Sequence, residues 1–435
     1  MSYIAAILGL VCFVSVAYAL SNDRNAIDKK IIFWGLALQW ILALLVLGIP
    51  ALGVKGPLQF VFVGANNFVD AIIRSTSSGT QFLFDKELLN VSKMGFIFAI
   101  QVLPTIIFFS SLMAVLYYLG IMQKVVHVMA MVMHKLMKAS GAESLSLAAN
   151  IFVGQTEAPL VIRPYVHSMT RSELFTLMTG GMATVAGGVL IALVGMLESK
   201  IPGIAGHLLT ASVMSAPAAL VMAKIIYPES QTPATLGHVP KKSLEVEDVN
   251  IIEAAARGAG DGLKMALNVG AMLLAFIALI ALLNMGFKYF GELVGFHQWG
   301  QQLVPELIRK PGEVAPLSVE LVLGWIFAPV AWLMGVPWNE ATVAGALLGQ
   351  KMILNEFIAY GYLAEIAPQL SVKTNVILSY ALCGFANFSS IAIQIGGIGE
   401  LAPSRRSELA LFGVKAMLGG TFAAFMTASI AGLLL

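Results

Sequence analysis

The chain has 435 residues, of which 58% are hydrophobic and only 11% are charged. Because a soluble globular surface needs roughly a quarter of its residues to be charged, this composition excludes a soluble protein and indicates a polytopic membrane protein. The net charge of +2 is too small and too dispersed for a nucleic-acid-binding protein.

Long apolar runs predict where the chain crosses the membrane. A helix that spans a bilayer core of about 30 Å needs about 20 apolar residues. Runs without charge predict eight transmembrane helices, at Tyr3–Leu20, Ile31–Val54, Met94–Gln123, Leu174–Leu197, Ile201–Ala223, Met265–Phe287, Thr374–Gly399 and Ala416–Leu435. The first run has no basic residue before it and the second follows directly, which favours a retained helix over a signal peptide.

Two further regions, Gly141–His167 and Leu321–Leu363, are too polar to face lipid and too apolar to be loops. Their polar residues include Glu143, Asn150, Gln155, Thr156 and Glu157 in the first region and Asn339, Glu340, Lys351, Asn355 and Glu356 in the second. Irregular backbone at membrane depth is tolerated only where it is buried in protein. Each region therefore predicts a re-entrant helical hairpin.

A weak internal similarity links these two regions. Gly141-Ala142-Glu143-Ser144 leads to Gly154-Gln155-Thr156-Glu157, and Trp338-Asn339-Glu340-Ala341 leads to Asn355-Glu356. Each hairpin is followed by a span rich in glycine and other small residues. Interrupted segments at corresponding places in two halves are typical of inverted repeats whose interface holds a binding site.

The basic residues of the short loops predict the orientation in the membrane. They lie on one side of the predicted spans, at Arg24, Lys29, Lys30, Lys124, Lys135, Lys138, Arg163, Arg171, Lys241, Lys242, Arg257, Arg405 and Arg406. By the positive-inside rule these loops are cytoplasmic and both termini are periplasmic. Segment Lys124–Lys138 carries basic residues around Val, Met and His, which predicts an interfacial helix.

Glu157 and Glu356 are the best candidates for a functional site. A carboxylate inside a membrane segment is costly, so it is expected to face a cavity or a partner. The alternative is that each carboxylate only holds its hairpin together, by pairing with Arg163 or Lys351.

Uncharged polar residues are dense around these carboxylates, at Asn150, Gln155, Thr156, Thr184, Asn387, Ser389 and Ser390. Amides and hydroxyls donate and accept hydrogen bonds, which suits a neutral solute with hydroxyls and ring nitrogens. Lys and Arg are scarce in these segments, which disfavours phosphate or carboxylate substrates. For the polar residues after Gly384 the alternative is packing between helices.

Broken backbone near Thr184, in a glycine-rich run, would free carbonyl oxygens. Together with Thr and Asn oxygens, these are hard ligands suited to a sodium ion. Catalysis is disfavoured, because the six histidines are scattered and no nucleophile elbow or phosphate-binding Gly-Lys-Ser loop occurs. The two cysteines lie in apolar runs and supply neither a disulfide framework nor a zinc cluster. A passive channel for polar solutes is an alternative, although it would not need two buried carboxylates.

Four motifs follow one another along the chain: Gly154-Gln-Thr-Glu-Ala-Pro-Leu160, Gly335-Val-Pro-Trp-Asn-Glu-Ala341, Asn355-Glu-Phe357 and Cys383-Gly-Phe-Ala-Asn-Phe-Ser-Ser390. Together they resemble the concentrative nucleoside transporters in their bacterial eight-span form. The resemblance implies an all-α homotrimer that imports nucleosides with a cation, as a secondary active transporter with an elevator-type alternating-access mechanism. A scaffold of spans one to three and six would hold a mobile transport domain with both hairpins.

The resemblance also implies roles for individual residues. The implied substrate-binding residues are Gln155, Thr156, Glu157, Val189 and Phe385 for the nucleobase and Glu356, Asn387 and Ser390 for the ribose. The implied sodium ligands are Asn150, Val153, Thr184 and Val185. Thr184 replaces the Ser of the family and keeps the oxygen. Retention of Asn150 and of the Gln-Thr-Glu segment favours sodium as coupling ion over the alternative, a proton.

On this basis we expect a bacterial inner-membrane protein with a nucleoside and the lipid bilayer as partners and no nucleic acid. The expected domains are residues 1–121 (scaffold spans one to three with a periplasmic segment), 122–226 (first transport repeat), 227–260 (cytoplasmic loop), 261–290 (scaffold span six) and 291–435 (second transport repeat).

Overall fold

The structure, a computed structural model, describes residues 2–49, 53–95, 97–240, 248–305 and 314–435. In these ranges the chain is helical, and its one isolated β-bridge joins Ile49 to Val54. The helices are α1 (Ser2–Ala19), α2 (Lys29–Val46), α3 (Gln59–Phe84), α4 (Val91–Met94), α5 (Phe98–Gln101), α6 (Leu103–Tyr118), α7 (Ile121–Met137), α8 (Gly141–Asn150), α9 (Ala158–Val161), α10 (Arg163–Val166), α11 (Arg171–Ala183), α12 (Gly187–Leu197), α13 (Ile204–Ile226), α14 (Ile251–Leu293), α15 (Phe296–Trp299), α16 (Val319–Leu333), α17 (Trp338–Ile353), α18 (Glu356–Ile366), α19 (Val372–Ala381), α20 (Phe388–Leu401) and α21 (Arg406–Leu434).

All eight predicted spans coincide with helices. Six helical segments of the described ranges are long and apolar enough to cross a bilayer, at Lys29–Val46, Phe98–Tyr118, Arg171–Leu197, Ile204–Ile226, Ile251–Leu293 and Pro403–Leu434. The other two spans are α1, whose apolar part Tyr3–Ala19 is just short of that length, and the pair α19 and α20, two separate helices of 10 and 14 residues. The predicted all-α polytopic membrane fold is therefore confirmed.

The second span is shorter than predicted. Helix α2 ends at Val46, whereas the apolar run continues to Val54. Gly48 has a φ of +72°, a left-handed conformation that favours glycine. The chain then turns back, because Ile49 and Val54 exchange backbone hydrogen bonds of 2.8 and 3.2 Å.

The sixth span is longer than predicted. Helix α14 begins at Ile251 instead of Met265, because Asn250 caps it by accepting hydrogen bonds from two backbone N–H groups of the first turn. The predicted cytoplasmic loop 227–260 is thus wrong in its last ten residues, which are helical. Lys241 and Lys242, used to predict the orientation, lie outside the described residues.

A helix that the sequence analysis missed, α3, follows the second span. Polar residues such as Asn66 and Asp70 lower its hydropathy below that of a span. Its buried residues recur every three or four positions along one face, at Val69, Ile72, Thr76 and Thr80. The N–H of Gly206 donates to Asn66 Oδ1 at 2.9 Å, so this amphipathic helix packs on the start of α13.

Both predicted hairpins are present. The first consists of α8 and the short helices α9 and α10, joined by residues 151–157. The second consists of α17 and α18, with only two residues between them. It begins at Trp338 rather than at Leu321, because the chain turns at Gly335 (φ +98°) and α16 lies at 116° to α17. Helix α16 is therefore a separate element and no part of the hairpin.

The order of elements from α7 to α13 recurs from α16 to α21: one helix, two hairpin arms, a broken helix and a long helix. Glu143 and Glu340, which the internal similarity aligns, are each the third residue of a first hairpin arm. Ser140, which caps α8, donates to Glu173 at 2.6 Å, and Ser371, which caps α19, donates to Glu340 at 2.9 Å. Each of these two hydrogen bonds joins the base of a hairpin to the broken helix that follows it.

The two broken helices meet at their interruptions. Residues 184–186 separate α11 from α12, and residues 382–387 separate α19 from α20. Gly384 has a φ of +120°, and a Cβ there would lie 2.8 Å from the carbonyl oxygens of Met182 and Ala183. Only glycine permits this approach. The contact brings both interruptions together beside the hairpin tips.

Candidate functional site

The hairpin tips and the helix interruptions border one cavity of about 1040 Å³. Helices α6, α12 and α14 complete its walls. All eight side chains that the resemblance assigns to the substrate line it: Gln155, Thr156, Glu157, Val189, Glu356, Phe385, Asn387 and Ser390. This volume is close to the upper limit, about 1,000 Å³, of typical small-molecule sites.

The second hairpin places Glu356 at the start of α18. Asn355 caps this helix by accepting from the N–H of Ile358 at 3.0 Å. Asn387 caps α20 in the same way, because its Oδ1 accepts from the N–H of Ser390 at 2.9 Å. The remaining NH₂ of Asn387 donates to Glu356 Oε2 at 3.2 Å. Two helix caps thus hold a buried carboxylate and an amide together on the cavity wall.

The first hairpin contributes Gln155 to the wall of the cavity. Its Nε2 donates to Ser390 Oγ at 3.1 Å, so the first hairpin and α20 are joined across the site. Its Oε1 accepts from Gln394 Nε2 at 3.0 Å. The sequence analysis missed Gln394. The available signal was an amide in an apolar helix, four residues after Ser390 and seven after Asn387, which places all three on one helical face.

The structure forms neither of the ion pairs considered as alternatives for the two carboxylates. In the described residues no ion pair joins Glu157 to Arg163 or Glu356 to Lys351, and Glu157 Oε2 is buried without a hydrogen-bond partner. The fully buried Lys351 instead donates to the carbonyl of Ala381, at the end of α19, at 3.2 Å. Both carboxylates remain directed at the cavity and not at these bases.

The candidate sodium ligands lie at the first hairpin and the first helix interruption. Asn150 is the last residue of α8 and is 1% exposed, and neither its Oδ1 nor its Nδ2 has a partner among the described residues. Thr184 is buried at the end of α11, and its hydroxyl donates to the carbonyl of Gly180. Val153 lines the cavity and Val185 is buried. A buried amide with two unused polar atoms fits a hard cation.

The cavity lining also includes further charged residues, at Arg163, Asp248, Arg257, Asp261 and Lys264. Arg257 donates to both oxygens of Asp248, at 2.8 and 2.7 Å. These hydrogen bonds hold the pKa of Asp248 below its usual range. A depressed carboxyl pKa means that the pair persists at neutral pH and is lost only as the pH falls through that lowered value.

Models of protein families match three parts of the chain. They are described as the N-terminus of a Na⁺ dependent nucleoside transporter (residues 8–87), nucleoside recognition (residues 99–200) and the C-terminus of a Na⁺ dependent nucleoside transporter (residues 207–432).

Whole-length relatives agree with these matches. An uncharacterized transporter of Haemophilus influenzae is 44% identical over 440 residues, which cover 100% of this chain and 98% of the relative. The nucleoside permease NupC of Helicobacter pylori is 40% identical over 441 residues, covering 99% and 98%. The solved structure of CNTnw in an inward-facing substrate-bound state, 41% identical, covers 100% of this chain and 98% of its own with a TM-score of 0.85. A variant of CNTnw in an outward-facing state, 40% identical with the same coverage, gives 0.86.

Proposed function

The chain belongs to the concentrative nucleoside transporter family, and on that premise we propose that it imports uridine-like nucleosides together with sodium. The observation that carries this proposal is the cavity in which the carboxylates of Glu157 and Glu356 converge with amides and hydroxyls of the hairpins and of α20. Such groups complement a neutral solute rich in hydroxyls. A proton-coupled symporter is the first alternative, and a passive channel is the second.

The hydrogen bonds of the site support a division of roles. Glu356, Asn387 and Ser390 form one polar cluster at the second hairpin, which suits the hydroxyls of a ribose. Gln155, Thr156 and Glu157 lie at the first hairpin and would bind the nucleobase edge, while Val189 and Phe385 would contact its apolar faces. Charge-assisted hydrogen bonds from ribose hydroxyls to a carboxylate are stronger than neutral ones.

Transport against a gradient requires a sufficient driving force. A membrane potential of about 100 mV supplies about 2.3 kcal/mol per charge, and a tenfold ion gradient adds about 1.4 kcal/mol. One sodium ion per nucleoside therefore sustains accumulation of several hundredfold. Matches of similar quality to inward-facing and outward-facing relatives support an alternating-access mechanism in which the hairpin domain moves across the scaffold.

The test of this function is uptake of radiolabelled uridine into proteoliposomes, with an inward sodium gradient compared with an equal potassium gradient at fixed pH. We expect accumulation above equilibrium with sodium only. Identical equilibration under both gradients would contradict sodium symport, and a repeat with an imposed pH gradient then separates a proton symporter from a channel.

The sodium ligands give a separate prediction. Asn150→Ala removes a hard oxygen ligand, and we expect the sodium concentration for half-maximal uptake to rise about tenfold, since one hydrogen bond or ligand of this strength is worth about 1–2 kcal/mol. Ser144→Ala is the matched control, because Ser144 is buried on the same helix and its hydroxyl has no partner in the described residues. An unchanged sodium dependence of Asn150→Ala would remove Asn150 from the ion site.

Coupling requires that each ligand binds better when the other is present. Asn150 and Val153 belong to the hairpin that carries Gln155, so a bound sodium would order the nucleobase-binding segment. Equal uridine affinity with and without sodium would contradict coupling through sodium-dependent ordering of this hairpin.

We further propose that the chain forms a homotrimer in the bacterial inner membrane, with both termini in the periplasm. Large apolar side chains of α14 support contact with lipid or a second subunit, since Leu274 and Met285 are 78% and 69% exposed. The proposed scaffold comprises the first three spans and α14, and the two transport repeats comprise residues 122–226 and 291–435.

A further inference from the structure

Gln394 lies on α20, one helical turn beyond Ser390. Its side chain is fully buried, and it is not among the residues that line the cavity. Its Nε2 donates to Gln155 Oε1 at 3.0 Å and to the backbone carbonyl of Met178 at 3.1 Å. Any effect of Gln394 on a bound ligand therefore acts through its neighbours.

The carbonyl of Met178 sets the direction of this hydrogen-bond network, because a carbonyl oxygen only accepts. Gln394 must turn its NH₂ group toward Met178, and its second N–H then reaches the amide of Gln155. Gln155 must present its oxygen to that N–H, so its own NH₂ points away, where it donates to Ser390 Oγ at 3.1 Å. A peptide group of α11 thus determines the orientation of an amide on the cavity wall.

Close packing and burial disfavour the reversed network. A Cβ at Gly181 would lie 2.6 Å from Gln394 Nε2 and 3.0 Å from the Cβ of Gln155, so the two amides fill the space above α11. Turning Gln394 around would bring its Oε1 against the carbonyl oxygen of Met178. Two buried acceptors would then face each other without a hydrogen bond, which is unfavourable. Gln394 Oε1 has no partner in the described part of the chain, so only its NH₂ group is used.

We propose that Gln394 is a positioning residue that holds Gln155 with its NH₂ group toward the substrate, and that this selects nucleobases with a hydrogen-bond acceptor at the contacted edge. The inference rests on the proposed function, because it assumes a nucleoside in the cavity. Uracil presents an oxo acceptor where cytosine presents an amino donor. Ser390 accepts from one N–H of Gln155, and the other N–H of that NH₂ group donates to the oxo acceptor. The site therefore favours uridine over cytidine.

The experiment measures the ratio of the apparent affinities for uridine and cytidine, by competition of each nucleoside with labelled uridine uptake in proteoliposomes. We expect the wild type to favour uridine. Gln394→Met keeps the size of the side chain but frees Gln155 to rotate, so the ratio falls toward one, by roughly tenfold for one lost oriented hydrogen bond. Gln394→Glu, as a neutral acid, donates its O–H to the carbonyl of Met178 and accepts from Gln155 with its other oxygen. This turns the oxygen of Gln155 to the cavity, so the ratio shifts further, toward cytidine.

The matched control is Thr179→Val, since Thr179 is buried beside Met178 and donates only to its own helix at Phe175. It should retain the wild-type ratio. The inference is overturned if Gln394→Met transports uridine with the wild-type ratio, or if it weakens both nucleosides equally, as a purely structural residue would. If Gln394→Glu does not fold, Gln394→Met alone tests the inference. A wild type that transports no nucleoside overturns the proposed function itself, and the inference with it.

Discussion

Replacing Glu356 by Gln is expected to lower nucleoside uptake by about 100-fold or more, because hydrogen bonds to a charged group contribute about 1.5–3 kcal/mol each and a ribose offers more than one hydroxyl. The side chain of Glu356 is 4% exposed and accepts from Asn387 at 3.2 Å. A Gln oxygen still accepts from Asn387, so the wall of the cavity should keep its shape. The measurement is initial-rate uptake together with uridine binding to the purified protein.

The matched control is Glu365→Gln, because Glu365 lies on the same helix, α18, but is exposed. It removes the same charge without touching the cavity and should transport normally. Glu356→Asp keeps the charge but shortens the side chain by one methylene, so it should bind uridine more weakly than the wild type and more strongly than Glu356→Gln. Wild-type uptake by Glu356→Gln would remove Glu356 from the site.

Replacing Gly384 by Ala is expected to destabilise the protein by at least about 2 kcal/mol, the scale of a strained backbone position. The φ of +120° disfavours any side chain, and a Cβ would lie 2.8 Å from two backbone carbonyl oxygens of α11. The carbonyls belong to a helix and cannot move without shifting the interruption at Thr184. Both the apparent melting temperature in detergent and the uptake rate should fall.

Gly396→Ala provides the comparison, because Gly396 also lies after the second interruption, in α20, and a Cβ there meets nothing within 4 Å. Ala is favoured over Gly in a helix by about 0.5–1 kcal/mol, so this variant should be at least as stable as the wild type. If Gly384→Ala melts at the wild-type temperature, the contact between the two broken helices is not required.

Much of the site was predictable because its residues lie in short contiguous stretches. A carboxylate such as Glu157 in an apolar segment is a local signal, and all eight predicted substrate residues line the cavity. Their roles remain predictions until the variants are measured. The predicted start of the second hairpin, at Leu321, is too early. Residues 321–337 are apolar and uncharged, and hydropathy does not report the turn at Gly335 (φ +98°) that separates α16 from the hairpin.

Helix α3 shows a second limit of hydropathy. Polar residues lie even on its packed side, where Thr76 and Thr80 are buried and Asn66 accepts from Gly206, so its mean hydropathy falls below that of a span although this side packs against α13. Gln394 shows a third limit of sequence analysis, since a single amide in an apolar helix does not indicate which residue it contacts. Its partner Gln155 lies 239 positions away.

The sequence by itself determined the class of the protein, its spans and its polar re-entrant segments, because hydrophobicity and the cost of burying polar groups act over about 20 neighbouring residues. Only the tertiary structure decided which polar groups meet: Asn387 with Glu356, Gln155 with Ser390 and Gln394, and Gly384 with the carbonyls of α11. These partnerships depend on the crossing of two broken helices and on the rotation of each about its axis. Both are set by packing between segments remote in the chain, so no local pattern encodes them.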